Sequence, residues 1–429
     1  MTPTAARYRF VMLTALTWLP TALQIPVLVL LAQVRGLDLA EIGLTFAVYS
    51  VSVAALELPT GGLADVIGRR TVLAVSATTT LVGTLWLAVA TTFPEFLVLA
   101  VLSGVARALS SGPAEAWYVD TLQQATTHDP EDLRRGLAAG NAAAGATLAV
   151  GTLIGGLLPL ITSPLMEAGP LVSLSAPMLL AAVAAAGLLV ASIVGMPEPP
   201  HDDRAGIAKV LRGVPETILR GLRLGVRDRL LRRVLMISAI LGVALNSIEL
   251  LTPGRLADLT GDPGTGSTAY ALVAAVGFGA VSLGSAISPR LARRLGGGSE
   301  VGAAARTAIL GTVLAAGSLA GLATSTALDG PAGIVAAGAA YTGMFTGVGI
   351  SGPVCSELLH RGVTGQERAT LVSVDSLMLQ LGGATAAVGV GALAARWSVT
   401  PAWWLAATVL LAGAALLLPE ARSAYRLEA

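Results

Sequence analysis

Gly61-Gly62-Leu63-Ala64-Asp65-Val66-Ile67-Gly68-Arg69-Arg70-Thr71-Val72-Leu73 is a short polar joint between two oily runs, residues 42–63 and 71–90. An acid closes the first run, a glycine allows a tight turn, and two arginines open the second; helix ends and neighbouring charges can neutralise such a cluster. A helix rising about 1.5 Å per residue needs about 20 apolar residues to cross roughly 30 Å of hydrocarbon, and both flanking runs are that long.

Working outward, the same length of apolar chain recurs twelve times: residues 10–32, 42–63, 71–90, 96–122, 137–161, 172–195, 234–252, 269–291, 301–324, 331–358, 370–393 and 403–418. Only 12% of the 429 residues are charged and 54% are apolar, against about 25% charge in soluble domains. Mean hydropathy is +0.75. The expected fold is therefore an all-α polytopic membrane protein of twelve transmembrane helices in two six-helix bundles, residues 1–195 and 234–429. Residues 196–233 form the linker. There Ile207, Val210, Leu211, Val214, Ile218 and Leu222 recur at helical spacing, with Lys209, Arg212, Glu216, Arg220 and Arg223 on other faces. That pattern reads as an amphipathic helix on the inner leaflet or as a solvated joint.

With both termini in the cytoplasm, Arg35, Arg255 and Arg396 stand outside, Arg107 stands within the membrane, and the remaining Lys and Arg residues fall inside. The positive-inside rule thus orients the chain. The two halves echo each other: Ser111-Gly112-Pro113 in span four recurs as Ser351-Gly352-Pro353 in span ten, and Arg134 before span five matches Arg368 before span eleven. Internal repeats of this kind place two bundles around one site near the midplane in many transporters.

The quoted joint resembles the signature loop of the major facilitator superfamily, Gly-x-Leu-Ala-Asp-Arg-x-Gly-Arg-Lys-x-x-Leu, departing mainly at Val66. The resemblance implies a conformational latch of Gly61, Asp65, Gly68, Arg69, Arg70 and Asp120. Asp65 would face the N-terminal end of span eleven and Arg69 would reach Asp120, in contacts that form when the protein faces outward. The corresponding second-half stretch, Arg290 to Gly296, has Arg293 where Asp65 would be, so the second latch reads as degraded; simple topological anchoring is the alternative for Arg293 and Arg294.

Charges inside hydrocarbon cost several kcal/mol and persist mainly where they pair or line a watery path. Glu57, Arg107, Glu115 and Asp375 are on that ground the proton-coupling candidates. Helix rise puts Glu57 about 12 Å from Asp65 and Arg107 about 20 Å from the inner end of span four, so Arg107 is expected to reach toward Glu57 or Glu115. A purely structural Arg107–Glu57 pair is the competing reading. Arg107 also matches in position the fourth-span arginine of proton-coupled antiporters of the superfamily, and residues 57–61 look like bacterial members of drug-exporter type. Gly151-Thr152-Leu153-Ile154-Gly155-Gly156 resembles the antiporter motif Gly-Pro-x-x-Gly-Gly with Thr152 in place of proline, making Gly151, Gly155 and Gly156 helix-packing candidates. If spans one, four, seven and ten line a cavity as in the superfamily, Trp18, Gln24, Asn246, Glu249, Tyr341 and Met344 become substrate-binding candidates. Glu249, one turn after Asn246, is alternatively a snorkelling residue where Thr252-Pro253 marks the membrane exit.

The resemblance implies proton-coupled export of small hydrophobic or amphipathic compounds, in a bacterial inner membrane and as a monomer; a nutrient importer of the same fold and a non-transporting receptor are the alternatives. The expected partners are a small molecule, protons and lipid. A net charge of +1 argues against nucleic acid. No enzyme or cofactor is expected, because the sole lysine has no phosphate-cradling loop before it. His128, His201 and His360 with Cys355 offer no metal-ligand spacing.

Overall fold

The computed structural model describes residues 2–124, 130–166, 170–198, 228–296, 299–361 and 365–418. The expected linker helix with Lys209, together with His128, His201, the surroundings of Gly61 and the side chains of Asp65 and Arg368, lies outside what is described. The rest is helical. In order come α1 (Pro3–Gln24), α2 (Leu28–Val34), α3 (Leu39–Ile67), α4 (Arg69–Val89), α5 (Phe93–Ser110), α6 (Pro113–Gln123), α7 (Pro130–Thr162), α8 (Ala176–Gly195), α9 (Arg229–Thr260), α10 (Pro263–Arg294), α11 (Glu300–Ser325), α12 (Gly330–His360), α13 (Gly365–Arg396) and α14 (Val399–Ala415).

Among the described residues, eleven helical stretches are long and apolar enough to cross a membrane, and α14 is a shorter apolar helix. The chain is thus a multi-pass membrane protein. Spans one and four, each expected as a single rod, are built from two helices apiece, α1 with α2 and α5 with α6. Span seven, expected to leave the membrane at Thr252-Pro253, runs through Pro253 to Thr260. A proline inside a helix only removes the N–H that would bond four residues back, and buried neighbours can hold the helix together across that gap.

Side chains satisfy the free N–H groups at several helix starts. Asp38 and Glu41 cap α3 reciprocally at 2.8 and 3.1 Å. Asp228 accepts from Leu230 and Leu231, Asp262 from Thr265, and Ser299 from Gly302. Arg35 and Arg255 act as carbonyl caps: Arg35 donates to Pro170, and Arg255 donates to Ser325, Thr326 and, at 2.7 Å, Leu328.

Two compact units emerge. One gathers Met1–Gly36 with the chain from Val51 through α8, and the other takes Leu37–Ser50 with α9 to α14. In the first, α1 packs on α7, where a Cβ at Gly151 would meet Ala22 and one at Gly155 the Leu23 backbone. Thr152, standing where the motif has proline, donates to the Ala22 carbonyl at 3.2 Å. In the second, a Cβ at Gly242 would fall on the Leu379 carbonyl and one at Gly382 on that of Ala239, so α9 and α13 touch backbone to backbone. Gly311 and Gly347 do the same for α11 and α12, whereas Gly317 faces open space. Dispersion between closely approaching backbones is what holds helices together in lipid.

Candidate functional site

Between α3 and α4 of the first unit, Gly68 turns the chain with φ 94°, a conformation that only glycine adopts cheaply. The turn delivers Arg69 to α4's first position, where its guanidinium pairs with the Asp120 carboxylate and also donates to the Ala116 carbonyl on α6. Arg70, next to it, is exposed. The N–H groups of Arg69 and Arg70 donate to one Glu198 oxygen at 2.8 and 3.1 Å. Glu198 therefore caps α4, placing a carboxylate at the positive end of the helix. Trp117 donates to the Pro197 carbonyl at 3.3 Å and Arg9 to that of Gly195 at 3.1 Å, fastening the chain after α8 beside the turn. Glu198 had no place in the sequence reading; its one signal was an acid set between two prolines at the end of span six.

The second unit carries a related arrangement that the sequence reading missed. Its Arg290–Gly296 stretch leaves Arg290, Arg293 and Arg294 exposed, with Arg306 capping the Leu295 carbonyl at 2.7 Å. The helix pair corresponding to spans three and four is nevertheless tied: Arg361, just beyond α12, donates to Glu300 at the start of α11 at 2.7 Å and to Glu357 at 2.6 Å. These carboxylates raise the affinity of the guanidinium for its proton, hydrogen bonding to Glu357 contributing most. An acid at the start of span nine facing a base at the end of span ten mirrors Arg69 and Asp120 with the charges exchanged. The second half thus carries an ion pair of reversed polarity at the corresponding helix ends.

Span four breaks at Ser111-Gly112, where Gly112 has φ 97°. Hydroxyls add to the carbonyls at the end of α5: Ser76 donates to Ala106, Ser110 to Arg107, and Thr60 to Ala108, at 2.7, 2.9 and 3.0 Å, the last of these carbonyls also accepting from the Ser111 N–H. Arg107 lies in α5's last turn and Glu115 in α6's first turn. Each charge thus sits at the half-helix end whose dipole favours it. Arg107, expected to reach Glu57 or Glu115, has its guanidinium carbon 4.4 Å from the centre of the Trp18 ring. Glu115 is exposed and Glu57 half-buried. Gln24, at the end of α1, donates to the Pro20 carbonyl.

Span ten contains the same Ser-Gly-Pro triplet and does not break. Pro353 removes the donor for Gly349, but Ser285 of α10 donates to that carbonyl at 3.3 Å and Ser288 to Ile350 at 2.7 Å. Elsewhere in the second unit, Ser238 on α9 donates to the Asp375 carboxylate on α13. His360 and Cys355 of α12 lie within electrostatic reach of that acid. Higher on α9, Asn246 is half-buried and Glu249 exposed. Tyr341 and Met344 are 2% and 0% exposed, so they are packed into the bundle rather than open to a ligand. Tyr270, which the sequence reading did not single out, meets Tyr341 edge to face at 5.9 Å.

The fold recurs among solved structures. Over 97% of this chain and 99% of the other, it superposes on a mutant of the nucleoside transporter NupG with TM-score 0.77 at 13% identity. A mutant of the peptide transporter POT in complex with sulfate gives 0.73 at 13% identity, covering 98% of this chain and 95% of that one. A D-xylose-proton symporter gives 0.71 at 13% identity, covering 97% of each. No curated protein matches the chain. The sequence profile of the Major Facilitator Superfamily matches residues 10–356. With its signature turn, its apolar spans and that match, the chain belongs to the major facilitator superfamily and has the superfamily's twelve-helix transporter fold.

Proposed function

We propose that the protein is a proton-coupled secondary transporter that moves small amphipathic compounds by alternating access, outward from the cytoplasm of a bacterial cell, with both termini on the cytoplasmic side. The observation that carries this reading is the broken fourth span. A discontinuous helix in hydrocarbon with Arg107 at one stub and Glu115 at the other is a costly arrangement, tolerated where backbone and charges line a watery path. Glu57, Glu115 and Asp375 are the coupling acids. Arg69 with Asp120, and Asp65 by resemblance, form the latch that one state makes and another breaks. The glycine packing of α7 on α1 suits an antiporter of export type.

The test is counterflow and pH-gradient-driven flux in proteoliposomes across a broad compound panel. Wild-type protein should exchange at least one compound and move it against its gradient when protons run the other way. Glu115→Gln should abolish uphill flux and retain exchange. Absence of exchange for every compound sinks the reading.

Import is a second reading, favoured by the D-xylose-proton symporter among the structural relatives. Uptake rather than extrusion when the proton gradient is directed inward, with acid outside, would establish it. Inverted vesicles decide the direction.

A further inference from the structure

We propose that Glu249, with Asn246, forms a recognition site for protonated amines, so that the transported compounds are organic cations that present an N–H donor. This rests on the transport reading and names the chemical class it leaves open.

Glu249 is residue 21 of the 32 in α9 and lies about 16 Å from its outer end, by helix rise. Taking about 20 residues of hydrocarbon from Val234, just past Arg232 and Arg233, it stands about 7 Å inside the outer boundary of the span, and it is exposed. Among the described residues no cation pairs with it. The nearest base along the helix, Arg255, is committed to the carbonyls of Ser325, Thr326 and Leu328 and lies beside Asp258.

The surroundings add acceptors and no positive charge. The Asn246 side-chain carbonyl, one turn earlier on the same face, is buried without a hydrogen-bond partner. Pro253, four residues on, has no N–H to give the Glu249 backbone carbonyl, so that oxygen lacks its helical donor. The phenols of Tyr270 and Tyr341 interact with each other and lie within electrostatic reach of the carboxylate. Their rings begin a row that continues through Phe345, 4.8 Å from Tyr341, to Phe278 at 6.3 Å. Gly277 makes room for it, since a Cβ there would lie 2.6 Å from the Tyr341 ring.

Tyr270, Tyr341 and Phe345 are buried and serve to pack the bundle behind the acid; an accessible carboxylate with an unpaired amide oxygen one turn away is what is complementary to an ammonium. An anion would be repelled by the unpaired carboxylate, and a neutral alcohol would leave that charge uncompensated inside the span.

Three probes of one shape and different charge test this: 2-naphthylmethylamine, 2-naphthylmethanol and 2-naphthoate, titrated onto the full-length protein in detergent. The amine should bind at least tenfold tighter than the alcohol, and the naphthoate should not compete. Glu249→Gln should weaken the amine about tenfold to a hundredfold, the range for losing a charged hydrogen bond, and leave the alcohol unchanged. Glu249→Asp should restore part of the loss, and Asn246→Ala should weaken the amine about threefold to tenfold. Unchanged elution and melting temperature of Glu249→Gln would show that the fold persists. Amine binding no tighter than alcohol binding, or indifferent to Glu249→Gln, overturns the proposal. The same compounds in counterflow separate the two claims. Exchange confined to neutral or anionic compounds defeats the amine site while transport stands; Glu249-dependent amine binding without exchange of any compound leaves the site and defeats transport.

Discussion

Removing the Arg69–Asp120 ion pair should cost far more than removing its charge-exchanged counterpart, and the exposures in the structure set the ratio. The Arg69 side chain is 18% exposed and that of Asp120 46%, and Arg69 also holds the Ala116 carbonyl. Exposed ion pairs contribute about 0.2–1 kcal/mol, while hydrogen bonds to charged groups out of solvent contribute about 1.5–3. A half-shielded pair falls between, at about 1–2 kcal/mol. In the second unit Glu300 is 84% exposed and shares Arg361, itself 33% exposed, with Glu357. Its coupling should be below about 0.5 kcal/mol. The assay is a double-mutant cycle, Arg69→Ala with Asp120→Ala and Arg361→Ala with Glu300→Ala, read by reversible unfolding of the full-length protein in mixed micelles. The contact with Ala116 drops out of the first cycle because Asp120→Ala leaves it in place. Raising salt should erase the second coupling and spare most of the first. A first coupling below about 0.3 kcal/mol, or a second as large as the first, would refute the argument from exposure.

The remaining predictions use the same unfolding measurement. Glu198→Ala should lower stability by about 1–2 kcal/mol, because the N–H groups of Arg69 and Arg70 lose a charged cap; Glu198→Gln, which keeps an acceptor, should lose about half of that. Gly382→Ala should destabilise by about 1–3 kcal/mol as its methyl meets the Ala239 carbonyl. Gly317→Ala, which faces open space, should be neutral or stabilising by up to about 1 kcal/mol. Ser285→Ala should cost about 1 kcal/mol by leaving the Gly349 carbonyl unanswered, and Pro353→Ala, which restores that carbonyl's helical donor, should suppress the loss.

The hydrocarbon slab imposes a length on every span, so hydropathy alone made the spans legible; what it could not show is rotation about a helix axis. Arg107 illustrates the limit. Rise along the chain gave its depth and suggested Glu57 or Glu115, but its guanidinium lies over Trp18, far away in sequence. The two Ser-Gly-Pro triplets show the same limit for the backbone. One breaks its helix and the other does not, although the letters are identical. Carbonyls in lipid need donors, and some of the donors sit on other helices: Thr60 and Ser76 add to those at the end of a broken span, whereas Ser285 and Ser288 bridge an intact one. The outcome at a proline is therefore decided by hydroxyls distant in sequence, on whichever face the packing presents. Pro253 follows from that reasoning. Read locally it ended span seven and set Glu249 at the membrane surface; held by its neighbours, it lets the helix run on and leaves the acid about three turns from the helix end. The same proline that concealed the run of helix beyond Glu249 also removes the donor from its backbone carbonyl, so one residue both hid the site from sequence reasoning and added an acceptor to it.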